Sequence, residues 1–165
     1  MRKEFGYINQ LNNNIMEKIA LSPKNLSLRN ACVGFMFAYQ QRDVSKMMEF
    51  CQPEGQVYFE PLGEAGRGKI GELGKAIWNL LIACFPDIDN TVDSAIAPLD
   101  EPDTIQCQVI IRGTQSADFA DIPNRGKSFE SDHIFIFHLN DEGKIDSIRV
   151  SWDHGDFRRQ LGAES

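Results

Sequence analysis

The spacing of apolar residues changes once along this chain, close to Pro86, and this change limits the fold more than any other feature. Before Pro86, apolar side chains recur every three or four positions, as a helix with one buried face requires. After it they alternate with polar side chains, as at Ile105, Cys107 and Val109, which is typical of β-strands. Helices followed by strands predict an α+β fold, in which a curved, mostly antiparallel sheet wraps around the N-terminal helices. Such a cone leaves an apolar pocket at its open end.

The same spacing and the turn residues predict the individual elements. Residues 1–26 are interpreted as an N-terminal extension, with Pro23 ending any helix in it, and residues 27–165 as one domain. A turn is expected at 53–55 and a flexible glycine-rich connection at 63–71. Within the domain we predict helices over 27–42 and 43–51 with N-caps Ser27 and Asp43, a strand over 57–59, a helix ending near residue 85, strands over 88–98, 104–114, 127–139 and 145–153, and a last short helix at Phe157 and Leu161.

Charge, hydropathy and cysteine spacing exclude several classes of protein. The 24 acidic against 17 basic residues give a net charge of −7, which argues against a nucleic-acid partner. No apolar run reaches the roughly 18–20 residues that a membrane span needs, and no secretory signal pattern is present, so a cytoplasmic location is expected. The closest two cysteines, Cys32 and Cys51, are 19 positions apart, which argues against zinc or redox motifs. We therefore expect four reduced, buried thiols and no metal site.

Four ordered segments of the sequence carry a family resemblance. They are Phe-Met-Phe-Ala-Tyr-Gln-Gln-Arg-Asp at 35–43, Trp-Asn-Leu-Leu-Ile-Ala-Cys-Phe-Pro-Asp at 78–87, the hairpin Arg-Gly-Thr…Phe…Ile-Pro…Gly-Lys at 112–127, and the closing Gly-Lys-Ile…Trp-Asp…Leu-Gly at 143–162. In order and spacing they resemble the SnoaL-like polyketide cyclases, within the nuclear transport factor two-like superfamily of α+β cones. The resemblance implies a lipophilic carbonyl ligand of polyketide type and no cofactor.

The resemblance also implies two catalytic residues. In these cyclases an aspartate at the end of the last strand is the acid/base of an intramolecular aldol closure, and Asp153 matches it. Burial among aromatic side chains would make its carboxylate a stronger base. A histidine on the preceding strand assists, and strand alternation favours His133, which shares a face with Phe135 and Phe137, over His138.

The predicted pocket is closed, apolar and a few hundred Å³ in volume. Asp153 and His133 are expected at its floor. Beside them, the predicted lining residues are Phe35, Tyr39, Phe59, Glu60, Trp78, Phe135, Phe137, Arg149 and Trp152.

Three alternatives stay open at this point. Asp153 could cap the last helix, and Arg149, where many cyclase-like members have Trp, could pair with it, which would favour a ligand-binding protein without catalysis. The segment at Glu60-Pro61 resembles the general base of ketosteroid isomerases, although Phe35 stands where that family has its oxyanion-binding Tyr. The apolar alternation on both sides of the strands also fits a homodimer formed through the sheet.

Overall fold

The structure, a computed structural model, describes residues 23–164 and shows four helices around one six-stranded sheet. This confirms the predicted α+β class. In chain order the elements are α1 (Pro23–Gln40), α2 (Val44–Glu49), β1 (Cys51–Phe59), a 3₁₀ segment (Glu60–Gly66), β2 (Arg67–Lys69), a π-turn (Ile70–Gly74), α3 (Lys75–Cys84), β3 (Asp89–Ile96), β4 (Thr104–Thr114), β5 (Ser128–Leu139), β6 (Ile145–Trp152) and α4 (His154–Gln160).

The first helix differs from the prediction at its start. It begins at Pro23, so Ser27 lies inside α1 and the expected boundary between residues 26 and 27 falls within a helix. Proline suits a first helical position, because its missing N–H would have no partner there. Asp43 does cap α2, where its carboxylate accepts the backbone N–H of Lys46 at 3.0 Å. Predictions about residues 1–22 lie outside the described residues.

The segment between α2 and α3 is more regular than its sequence suggests. Residues 53–55, expected to turn, belong to β1, where an irregular register between Cys51 and Gln56 accommodates them. The glycine-rich stretch 63–71 forms the 3₁₀ segment, β2 and the π-turn instead of a flexible connection. Gly74 ends the π-turn, and a Cβ there would lie 2.8 Å from the Trp78 ring. The turn thus lets the Trp78 side chain pack directly against backbone.

The sheet is antiparallel except at one pair of strands. Its order is β2-β1-β6-β5-β4-β3, and β1 runs parallel to β6. The inner face packs against the helices, and the buried core includes Phe35 and Met36 of α1, Trp78 of α3 and Phe137 of β5. The helices therefore close one side of a curved sheet, as expected from the order of elements.

Alternation along β5 separates the two faces of the sheet. His133, Phe135 and Phe137 are buried on the inner face, while Ile134, Ile136 and His138 are partly exposed on the outer face. His138 Nδ1 lies 2.6 Å from an Asp146 carboxylate oxygen, away from the core. The predicted placement of His133 inside and His138 outside is confirmed. A homodimer through the outer face stays a prediction.

The four cysteines are buried and form no disulfide. Burial raises the pKa of Cys107 to about 11 and that of Cys51 to about 12, so both thiols are protonated at neutral pH. Within residues 23–164, no helix combines the length and hydrophobicity that crossing a membrane demands. The cytoplasmic location stays a prediction.

Candidate active site

An apolar hollow lies between the inner face of the sheet and helices α1, α3 and α4. Its volume is about 40 Å³, smaller than the expected few hundred. We call this space the aromatic hollow. The residues that form its wall are Tyr39, Phe59, Leu62, Trp78, Leu81, Ile88, Ile111, Phe119, Phe129, His133, Phe135, Val150, Trp152 and Phe157. Leu62, Leu81, Phe119 and Trp152 are partly exposed and mark its mouth.

Six residues predicted for the site border this hollow, but two predicted aromatic residues do not. The six are Tyr39, Phe59, Trp78, His133, Phe135 and Trp152. Phe35 lies behind the wall, with its ring centroid 5.2 Å from that of Trp78 and 5.4 Å from that of Phe137. Phe35 and Phe137 therefore support the wall from the core instead of facing the space.

Sequence reasoning missed one part of the wall, which is formed by a phenylalanine cluster. Phe129 and Phe157 pack edge to face with ring centroids 4.8 Å apart, and Phe119 lies beside Phe157 at 6.1 Å. Strand alternation could have identified Phe129, since it lies four positions from His133 on the same face of β5. Phe119 and Phe157 come from a connection and a short helix, where no periodic pattern indicates a direction.

His133 is the ionisable side chain of the wall that can act as a base near neutral pH. It is 9 % exposed, and burial lowers its pKa to about 4, although the hydrogen bond to Ser131 acts in the opposite sense. Its Nδ1 lies 3.2 Å from the Ser131 carbonyl oxygen. The Ser131 hydroxyl oxygen lies 3.4 Å from the same Nδ1. A proton on Nδ1 can be donated to both oxygens, whereas a lone pair there would face the lone pairs of the carbonyl oxygen, so we assign the proton to Nδ1 and the free lone pair to Nε2. Nε2 has no hydrogen bond to any described residue.

The ring of Trp152 covers His133 and is itself held in place. The two rings stack with centroids 5.4 Å apart, and the Trp152 Nε1–H donates to His154 Nδ1 at 3.2 Å. His154 is half-buried against Phe157, and its pKa is lowered first by burial and then by the positive charge of Arg158. His154 is thus a neutral acceptor that fixes one wall of the hollow.

Asp153 is not in the hollow, which corrects the expectation that it lies among aromatic side chains. It is exposed, and its carboxylate accepts the Asp156 backbone N–H at 3.0 Å as the N-cap of α4. The reason lies in the alternation of β6. Val150 and Trp152 point into the hollow, so Asp153, one position further, faces away.

We predict that Asp153 acts on stability through this cap. Asp153→Ala should lower the free energy of unfolding by about 1 kcal/mol, while Asp153→Asn, an equally good N-cap, should leave it nearly unchanged. Urea unfolding of the two variants measures this difference. Equal destabilisation by both substitutions would contradict the capping role.

Glu60 and Arg149 also lie outside the hollow. Arg149 is on the outer face of β6, and its guanidinium donates to the Glu60 carboxylate at 2.5 Å. Arg149 therefore pairs with Glu60 and not with Asp153. This placement gives no support to Glu60 as the base of an isomerase acting in the hollow. Among the described residues, no group of three or more His, Cys, Asp or Glu side chains is arranged to hold a metal.

Comparisons with known proteins agree with this architecture. No curated protein matches the sequence. A proposed SnoaL-like polyketide cyclase from Jannaschia sp. CCS1 is 18% identical, with a TM-score of 0.75 over 87% of this chain and 97% of that one. IdmH, a proposed polyketide cyclase from Streptomyces antibioticus, is 23% identical, with a TM-score of 0.68 over 82% and 99%. AclR, a proposed hydroxylase from Streptomyces galilaeus, is 18% identical, with a TM-score of 0.69 over 82% and 95%.

These structural likenesses show a shared fold, and the different activities in their names illustrate that this fold alone does not determine chemistry. The sequence itself gives the family. The family model described as SnoaL-like polyketide cyclase matches residues 31–161, which include all of the sheet and every residue that borders the hollow. The chain therefore belongs to the SnoaL-like polyketide cyclase family.

Proposed function

We propose that this protein binds a small lipophilic carbonyl compound of polyketide type in the aromatic hollow and promotes its ring closure by acid/base chemistry. The observation that carries the proposal is the state of His133. It is a neutral imidazole with an unpaired Nε2 in a wall of otherwise almost wholly apolar side chains. An apolar wall with a single base selects a ligand that is mostly hydrocarbon and has one reactive polar centre.

The low pKa of His133 restricts which carbon acid can react. An imidazole with a pKa of about 4 is unprotonated at neutral pH, but it is a weak base. It can remove a proton at a useful rate only from a carbon that is strongly acidified. A CH₂ group between two carbonyl or ester groups meets this requirement, and a simple ketone does not.

The proposed reaction balances with protein groups alone. His133 Nε2 takes a proton from the acidified carbon, and the electron pair of the broken C–H bond forms an enolate. The enolate carbon then attacks a second carbonyl of the same molecule, so that one C–C bond forms and that carbonyl becomes an alkoxide. The imidazolium returns its proton to the alkoxide, which regenerates neutral His133. This chemistry needs no cofactor.

The small volume of the hollow bears on the size of the ligand. A space of about 40 Å³ holds little more than a water molecule, whereas pockets for drug-sized ligands measure roughly 300–1,000 Å³. In this proposal, any organic substrate, ethyl acetoacetate included, displaces the partly exposed side chains at the mouth, Leu62, Leu81 and Phe119.

The proposal is tested with ethyl acetoacetate, a small β-keto ester. Both tryptophans of the chain border the hollow, so binding should change the intrinsic tryptophan fluorescence in a saturable way. The protein should also accelerate exchange of the central CH₂ protons into D₂O above the buffer rate, as followed by NMR. Absence of saturable binding by this compound would contradict the proposal.

A second candidate function is binding without turnover. One observation favours it: among residues 23–164 no carboxylate borders the hollow, because Asp153 caps α4 and Glu60 pairs with Arg149. The same experiment separates the two functions. A binding protein would show the fluorescence change with ethyl acetoacetate but no exchange above the buffer rate.

A further inference from the structure

The proposed ring closure places negative charge on carbonyl oxygens twice, first in the enolate and then in the alkoxide. A base as weak as neutral His133 cannot sustain these states unless a hydrogen-bond donor faces the oxygen. The identity of that donor is a separate question that rests on the proposed function.

Three side chains of the hollow besides His133 carry an N–H or O–H group: Tyr39, Trp78 and Trp152. Trp152 is already used, because its indole N–H donates to His154 Nδ1. The Tyr39 hydroxyl and the Trp78 indole N–H have no acceptor among the described residues. Two donors of the wall are therefore available to a ligand.

The Tyr39 side chain is buried, but its hydroxyl group is not fully enclosed by protein atoms. The Tyr39 side chain is 1 % exposed. Within residues 23–164, the side-chain polar atom that is both fully shielded from solvent and without a hydrogen-bond partner is Oε1 of Gln115, so the Tyr39 oxygen is not fully shielded. The Tyr39 oxygen must therefore border open space, and the space that Tyr39 lines is the aromatic hollow. A buried hydroxyl without a partner costs stability, since its hydrogen bonds to water are lost on folding. A ligand oxygen in the hollow would restore such a bond.

We propose that Tyr39 is a catalytic residue that donates its hydroxyl hydrogen bond to the carbonyl oxygen on which negative charge develops. A phenol is a far stronger hydrogen-bond acid than an indole, which favours Tyr39 over Trp78. Burial also raises the pKa of Tyr39 well above its usual value, so the hydroxyl keeps its proton. Tyr39 lies in the last turn of α1, whose neighbouring residues are packed in the core and fix its position.

In this arrangement the two polar groups have opposite tasks. His133 Nε2 receives the proton from carbon, and the electron pair moves to the carbonyl oxygen that accepts the Tyr39 O–H. Tyr39 keeps its proton throughout, so the transfers of the proposed reaction remain balanced.

Acetylacetone is the probe for this role, because its enolate absorbs at longer wavelength than its neutral forms. With the wild-type protein, the pH at which half of the bound probe is enolate should lie below that of the free probe. Tyr39→Phe should raise this midpoint by at least one pH unit, an at least tenfold loss of enolate at a given pH, and should slow ethyl acetoacetate exchange at least tenfold. The matched control is Tyr58→Phe on the outer face, where the ring of Tyr58 lies under Arg67, and it should change neither value.

Three results would overturn the inference while leaving the proposed function intact. The first is an unchanged midpoint in Tyr39→Phe. The second is a midpoint that moves in Trp78→Phe but not in Tyr39→Phe. The third is a melting temperature that falls by several degrees in Tyr39→Phe, since loss of an unpaired hydroxyl should leave it unchanged or raise it. A wild-type protein that binds neither acetylacetone nor ethyl acetoacetate would instead overturn the proposed function and the inference with it.

Discussion

His133→Asn should slow the exchange of ethyl acetoacetate protons by about 10²- to 10⁴-fold, the usual contribution of a general base. Asparagine can still donate toward the Ser131 carbonyl oxygen, but it offers no basic nitrogen at the position of Nε2. The aromatic wall remains, so the fluorescence change on binding should persist. A large loss of exchange with nearly unchanged binding would separate the base from the binding surface. The measurement is NMR exchange at several probe concentrations.

His138→Asn is the matched control for this prediction. His138 lies on the same strand, but on the outer face and paired with Asp146. Its substitution should leave exchange at the wild-type rate. Exchange that survives in His133→Asn would contradict the proposed base and favour binding without turnover.

Acidification should remove about 3 kcal/mol from the free energy of unfolding between pH 7.5 and pH 4 through His133 alone. Its pKa is about 4 in the folded chain and near 6.5 in the unfolded chain. The unfolded chain therefore takes up the proton first, and the folded state loses stability as the pH falls from about 6.5 to about 4. Above about pH 7.5 almost none of this proton is bound in either state, so His133 should add no pH dependence to the free energy of unfolding there.

Three other titratable groups also lower the free energy of unfolding as the pH falls. His154, whose pKa is also lowered by burial, acts in the same direction. Asp87 and Asp89 also have lowered pKa values, mainly through hydrogen bonds from the Thr114 backbone and the Gln40 side chain, but they titrate below their usual 3.8. Their contribution is therefore lost only below about pH 4.

Urea unfolding at pH 7.5 and pH 4 measures the acid effect. In His133→Asn the difference between the two free energies of unfolding should shrink by about 3 kcal/mol relative to the wild type. If His133→Asn is as sensitive to acid as the wild type, then His133 is not buried in the neutral form, and its assignment as the base fails as well.

The architecture could be predicted from the sequence because periodicity reports directly on which faces are buried. The helices, the long strands and the inward direction of His133 and Phe135 all follow from spacing. The same spacing also contained the signal that places Asp153 outside. In β6, Val150 and Trp152 alternate with Arg149, Ser151 and Asp153, and the apolar set had to face the core. The family resemblance drew attention to Asp153, although its own strand placed it on the opposite face from His133.

The extent of the hollow could not be predicted, because it depends on how deeply each side chain sits between helix and sheet. Phe35 and Tyr39 share the inner side of α1, yet only Tyr39 borders the hollow. Phe119 and Phe157 enter from irregular or short segments whose directions depend on tertiary contacts. The Glu60–Arg149 pair joins residues that meet only because β1 lies beside β6.

The parallel pairing of β1 with β6 has a consequence for biosynthesis. Val57 pairs with Ile148, so a strand made early by the ribosome waits for about 90 further residues before its partner exists. Sheets that depend on such distant pairings fold slowly, because the entropy of closing a long loop is lost before the contact forms. During translation, the edge of β1 that β6 will cover therefore stays unpaired until the last strand emerges, and an unpaired strand edge can pair with other chains in that interval.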